Sequence, residues 1–80
     1  MADIVSPLPG IFYRKPAPDR DPFVREGDRI DIGQTIGIVE IMKQFTEVQS
    51  TATGVIETFR VDDFGAVNPG DVIVTVREDR

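Results

Sequence analysis

Ile38-Val39-Glu40-Ile41-Met42-Lys43-Gln44-Phe45 is the stretch that decides how this chain of 80 residues folds. Apolar residues lie on both sides of Met42-Lys43, and Phe45-Thr46-Glu47-Val48-Gln49 intersperses apolar with polar residues. Short runs of β-branched and aromatic residues of this kind read as strands. The stretch therefore predicts two antiparallel strands joined by a tight turn, with Met42-Lys43 as its central pair. Two-residue hairpin turns favour Asn-Gly or Asp-Gly, because positive φ costs an ordinary residue about 1 kcal/mol or more. An exposed methionine also leaves apolar surface in water. Local rules that fail at one exposed point often mark a functional site.

Working outward, the chain repeats itself. An offset of 37 sets Val24 on Val61, Ile30 on Val67, Gly33 on Gly70, Ile36 on Ile73 and Val39 on Val76. Asp31 falls on Asn68 and Gln34 on Asp71 in the same register. Gly10-Ile11-Phe12 matches Gly54-Val55-Ile56 only at an offset of 44, so the first half holds an insertion around Lys15–Asp21. Pro16, Pro18 and Pro22 bar both helix and central strand there, which predicts a stiff protruding loop. Ile36–Val39, Val72–Val76 and Val55–Phe59 read as further short strands, and no segment sustains a 3.6-residue period. Short strands in two similar halves predict an all-β small sandwich or flattened barrel with pseudo-twofold symmetry. The twofold would set the Lys43 turn at one end and the chain termini at the other.

Composition narrows the chemistry. Residues 1–80 suffice for one domain. With no cysteine and no histidine, the chain has no disulfide, no thiolate or imidazole metal site and no Ser-His-Asp arrangement. Asp62-Asp63 reads as a solvated turn. A net charge of −5 argues against nucleic acid and anionic membranes. No apolar run approaches the ~20 residues of a membrane span, and Met1-Ala2-Asp3 does not resemble a signal peptide. A soluble, cytoplasmic protein that is not itself an enzyme is the expectation. Lys43 is one of two lysines, and an amine held out on a stem suits covalent attachment of a prosthetic group. The spacing alone is met at least as well by a solubilising lysine beside a core methionine.

Glu40-Ile41-Met42-Lys43 resembles the Glu-Ala-Met-Lys attachment motif of biotin carboxyl carrier proteins. Ser6-Pro7-Leu8-Pro9-Gly10-Ile11-Phe12-Tyr13-Arg14 is similar to the opening strand of the acetyl-CoA carboxylase type. Lys15-Pro16-Ala17-Pro18-Asp19 resembles that type's "thumb", the same insertion that the two offsets expose, and Val67-Asn68-Pro69-Gly70-Asp71 matches as well. Four departures stand out: Ile41 for alanine, Gln44 for methionine, Lys15 for a biotin-contacting threonine, and Phe64 where a glycine is common.

The resemblance implies the biotinyl/lipoyl fold, with two four-stranded antiparallel sheets. It implies biotin on Lys43, attached by a biotin protein ligase, and a carboxyl group shuttled from a biotin carboxylase to a carboxyltransferase, as in acetyl-CoA carboxylase and fatty acid synthesis. Met42 and Glu40 would serve ligase recognition, and Lys15, Pro16, Ala17 and Pro18 would cover the ring from the thumb. The alternatives are a lipoyl carrier, whose lysine usually follows aspartate, and an unmodified assembly module. Phe12, Tyr13, Phe23 and Phe59 are expected in the core or at the base of the thumb.

Overall fold

The structure, a computed structural model, describes residues 1–78. Eight strands form it: β1 (Ala2–Val5), β2 (Gly10–Tyr13), β3 (Arg29–Ile30), β4 (Thr35–Ile41), β5 (Gln44–Gln49), β6 (Gly54–Phe59), β7 (Ala66–Val67) and β8 (Val72–Glu78). They make two antiparallel four-stranded sheets, ordered β1-β8-β6-β3 and β5-β4-β2-β7. Exchanging β1 with β5, β2 with β6, β3 with β7 and β4 with β8 turns one order into the other. This is the expected all-β sandwich with a twofold relation between halves. Principal extents of 39 × 27 × 19 Å make it flattened.

The repeat works because its matched positions face inward. Ile30 and Val67, Ile36 and Ile73, and Val39 and Val76 are all buried, as are Ile4 and Val48 on the paired edge strands. Fully burying such side chains contributes about 1.5–3 kcal/mol each. One matched set exchanges volume between its members. The Phe12 ring fills the space that a Cβ at Gly37 would need. The second half carries the smaller Ile56 and the larger Val74 at these places, both buried.

Two corners where the chain crosses between sheets are built alike. Buried Ser6 donates from Oγ to the Leu8 carbonyl, and buried Ser50 donates to that of Ala52, each at 2.6 Å. The Ser6 backbone binds the Gly70-Asp71 turn in both directions (2.9 Å each), and Ser50 binds Gly33-Gln34 likewise (2.8 Å each). Each serine thereby satisfies groups that burial would otherwise leave unpaired.

One expectation changes. Ser6–Arg14 is not one strand: Ser6–Pro9 forms a corner between β1 and β2, because Pro7 and Pro9 cannot donate to a ladder. The aromatic residues lie as expected, Phe12 buried with Phe59 packed against the core, and Tyr13 and Phe23 half-buried at the base of the thumb. Met42 is 89% exposed in the turn, so it is no core methionine.

Candidate functional site

The β4–β5 hairpin carries the motif. Its register pairs Ile38 with Glu47, Val39 with Thr46, Glu40 with Phe45, and Ile41 with Gln44. That leaves Met42 and Lys43 as the only turn residues, with φ of 52° and 65°. Both are left-handed, as a type I′ turn demands, one of the two turn types whose twist matches that of the flanking strands. Neither residue is the glycine or asparagine that accepts this backbone cheaply. Lys43 is exposed, and among the described residues it makes no salt bridge. Its amine can reach a reacting partner without breaking a contact.

The rest of the hairpin separates that amine from the chain ends. At its base Thr35 pairs with Gln49, from which the chain crosses through Ser50 to Gly54. Gly54 pairs with Glu78 on one side and with Ile30 on the other. Ala2 pairs with Val76, and the Met1 amine lies 3.8 Å from the Glu78 carboxylate. The base of the hairpin therefore abuts the region of the termini, and six residues of ladder, about 20 Å, lead from there to the tip.

Strand alternation decides what lies beneath the thumb. With Phe12 and Val39 paired and buried, Tyr13, Ile38, Glu40 and Phe45 point to the outer face of the β5-β4-β2-β7 sheet. The thumb leaves the sheet at a neck where Phe23 N–H donates to the Arg14 carbonyl (3.0 Å) and Arg14 N–H donates to Asp63 Oδ1 (2.8 Å). The Arg14 guanidinium lies 3.9 Å from the centre of the Phe59 ring, a cation–π contact that steadies the neck. Inside the loop, Arg20 N–H donates to the Ala17 carbonyl at 3.1 Å.

Between thumb and sheet runs a groove of about 380 Å³ lined by Lys15, Pro16, Ala17 and Pro18, by Tyr13, Ile38, Glu40 and Phe45, and by Asp63 and Phe64. Tyr13 Oη donates to Glu40 Oε1 at 2.8 Å. That bond, then burial, then the charges of Glu40 and Asp63, raise the Tyr13 pKa above its ordinary value. Phe64 meets the Tyr13 ring edge-on at 5.2 Å and 87°, while Phe45 sits tilted at 6.5 Å. The groove thus has aromatic walls, a proline roof and two carboxylates for hydrogen-bond donors.

Of the residues the sequence singles out, Lys15, Pro16, Ala17, Pro18 and Glu40 meet in this groove, while Met42 and Lys43 stand beyond it at the tip. Tyr13, Ile38, Phe45 and Phe64 were not among the candidate site residues. Phe45 had a usable signal, because a two-residue turn at Met42-Lys43 necessarily sets it opposite Glu40.

Comparison with known proteins agrees with this geometry. The family model described as "Biotin-requiring enzyme" (Biotin_lipoyl) matches residues 2–76. The biotin carboxyl carrier protein of acetyl-CoA carboxylase from Nostoc sp. is 35% identical over 79 residues, covering 99% of this chain and 43% of the relative. Its Streptococcus pyogenes counterpart is 40% identical over 76 residues (94% and 46%). That of acetyl-CoA carboxylase 1 from Arabidopsis thaliana chloroplasts is 42% identical over 60 residues (75% and 21%). The chain spans less than half the length of these relatives. No helix among the described residues is long and apolar enough to cross a membrane. With a matching family model along nearly its whole length, two related four-stranded sheets and a lysine at the hairpin tip, the chain belongs to the biotinyl/lipoyl domain family of biotin-requiring enzymes.

Proposed function

We propose that the chain is a biotin carboxyl carrier domain, residues 1–80, in which Lys43 Nζ is the attachment point. The observation that carries this is the exposed Lys43 amine on a two-residue turn whose backbone no stability argument favours. A biotin protein ligase forms an amide between that nitrogen and the valeryl carboxyl of biotin, with loss of the elements of water. When bound, the group supplies a nitrogen that carries carboxyl between two active sites. The names of the relatives support acetyl-CoA carboxylase as the setting. A carrier in that setting works between a biotin carboxylase and a carboxyltransferase, here in the cytoplasm.

The residues present fit the group. Biotin joins a planar ureido ring with N–H donors to an apolar, puckered thioether ring. The groove offers Phe45, Phe64 and Pro16 to the apolar faces, and Glu40 and Asp63 as acceptors. The thumb residues Lys15–Pro18 shield one side. Met42, exposed beside the amine, and Glu40, held by Tyr13, form the surface that a ligase meets first. The chain's own part is to present, orient and tether. Lacking histidine and cysteine, it contributes no general base or nucleophile of those kinds. Tethering keeps the arm at effective concentrations commonly in the ~mM range, so weak docking of partners is enough.

Intact mass after co-expression with an active biotin protein ligase tests the proposal. One biotinyl increment should appear, vanish in Lys43→Arg and persist in Lys15→Arg. An increment only with a lipoate ligase, or none with either, would replace it by a lipoyl carrier or an unmodified assembly module.

A further inference from the structure

Among the described residues three non-glycines hold a left-handed backbone: Met42, Lys43 and Phe64, the last with φ of 68°. A two-residue turn requires the first two. Phe64 has no such excuse. The offset of 37 sets it on Gly27, whose φ is 93°. Both halves therefore need this backbone, and the first half meets it with the residue that adopts it freely. An aromatic residue there costs on the order of 1–2 kcal/mol. Burial does not return that cost, since Phe64 is 65% exposed. Strain of this kind persists where the side chain has a task.

The task is legible from what the ring touches. Phe64 meets Tyr13 edge-on, Tyr13 donates to Glu40, and Glu40 pairs with Phe45, so the four make one continuous wall facing Lys15–Pro18. Backbone bonds lock Phe64 in place, its own N–H donating to the Phe12 carbonyl (2.8 Å) and Phe12 N–H donating to that of Gly65 (2.8 Å). Glu40 and Phe45 stand three and two residues from Lys43 on the same hairpin, so a valeryl arm on that lysine can fold back into the groove.

We infer that Phe64 is a positioning residue for the prosthetic ring: it closes the groove on the side opposite the thumb and sets how long the biotinyl ring rests there rather than swinging free. The inference rests on Lys43 carrying biotin. It explains why an exposed phenylalanine occupies a position that calls for glycine.

The test uses the full biotinylated chain, its modification verified by intact mass, and follows how fast soluble avidin captures it. Capture requires the ring to leave the groove. Phe64→Gly should be captured about two- to tenfold faster, the range that an aromatic contact is worth, while its melting temperature moves by no more than a few degrees. Phe64→Tyr should restore slow capture. Should the glycine variant fail to fold, Phe64→Asn tests the same point, since asparagine tolerates this backbone without a ring. Equal capture rates in fully biotinylated wild-type and variant proteins would overturn the role of Phe64 and leave the carrier function standing. A wild-type chain that takes no biotin would overturn both, and the mass spectrum separates the two failures.

Discussion

The two halves of the molecule are each other's control. Where they agree, they do so down to single hydrogen bonds: Ser6 and Ser50 turn the two corners with the same bonds, made to the glycine turns of the opposite repeat. Gly10 and Gly54 are equivalent too, for a Cβ on the first would meet the Glu40 carbonyl and on the second that of Arg77, positions 37 apart. Where the halves differ, apart from the exchange of volume between Phe12-Gly37 and Ile56-Val74 in the core, the differences gather in one region. The first half adds the thumb between Arg14 and Phe23 and turns through Met42-Lys43, where the second half approaches the chain's end. Gly27 in one half answers to Phe64 in the other. Agreement marks what the sandwich needs, and disagreement outlines the groove and the amine beside it.

Breaking the shared positions should cost most. Gly10→Ala and Gly54→Ala each force a methyl group onto a backbone carbonyl, and both should lose about 3 kcal/mol in urea unfolding. A loss at only one of them would break the equivalence. Ser6→Ala and Ser50→Ala come next, at about 1–3 kcal/mol each, because each leaves buried groups unpaired. The double variant should show the sum of the two single losses, since the corners share no partner.

Removing Lys15–Asp21 should change stability by less than about 1 kcal/mol, because shortening a loop alters its closure entropy only slightly. The second half closes the same place through Thr58-Phe59-Arg60 without any insertion. Loss of cooperative unfolding in that deletion would mean that the thumb belongs to the core.

The smallest effect is the titration of Tyr13, the chain's single tyrosine, followed by ultraviolet absorbance. Its neutral phenol donates to Glu40, so folding favours the protonated form and the midpoint should lie above 10.0. Between the unfolded and folded values the folded state holds more protons. The stability from this contact is therefore complete below about 10 and declines as pH rises through the folded pKa. Glu40→Ala should return the midpoint towards its ordinary value.

Much of this architecture can be read from the chain because it is local or periodic. The two offsets give the twofold and the thumb, and a two-residue turn at Met42-Lys43 gives the hairpin its register. The wall of the groove is different. Tyr13, Glu40, Phe45 and Phe64 come from three strands and a loop, and alternation says which face each takes but not what covers that face. Tyr13 therefore passes for packing. The serine corners are hidden for a related reason: Ser6 lies between the four-residue strand Ala2–Val5 and Pro7, and nothing local says that its hydroxyl is buried. Arg77 and Glu78, which sequence alone would leave frayed with Asp79 and Arg80, lengthen β8 because Val55 and Gly54 offer partners. Asp79 and Arg80 lie outside the described residues.

With two lysines in the chain, the distribution of biotin between them tests most directly whether the hairpin presents the acceptor amine. Tandem mass spectrometry of the chain after exposure to biotin protein ligase should find the biotinyl increment on Lys43 alone, with Lys15 unmodified under the same conditions. Biotin on Lys15, or shared between the two, would show that the hairpin tip is not the address that the ligase reads.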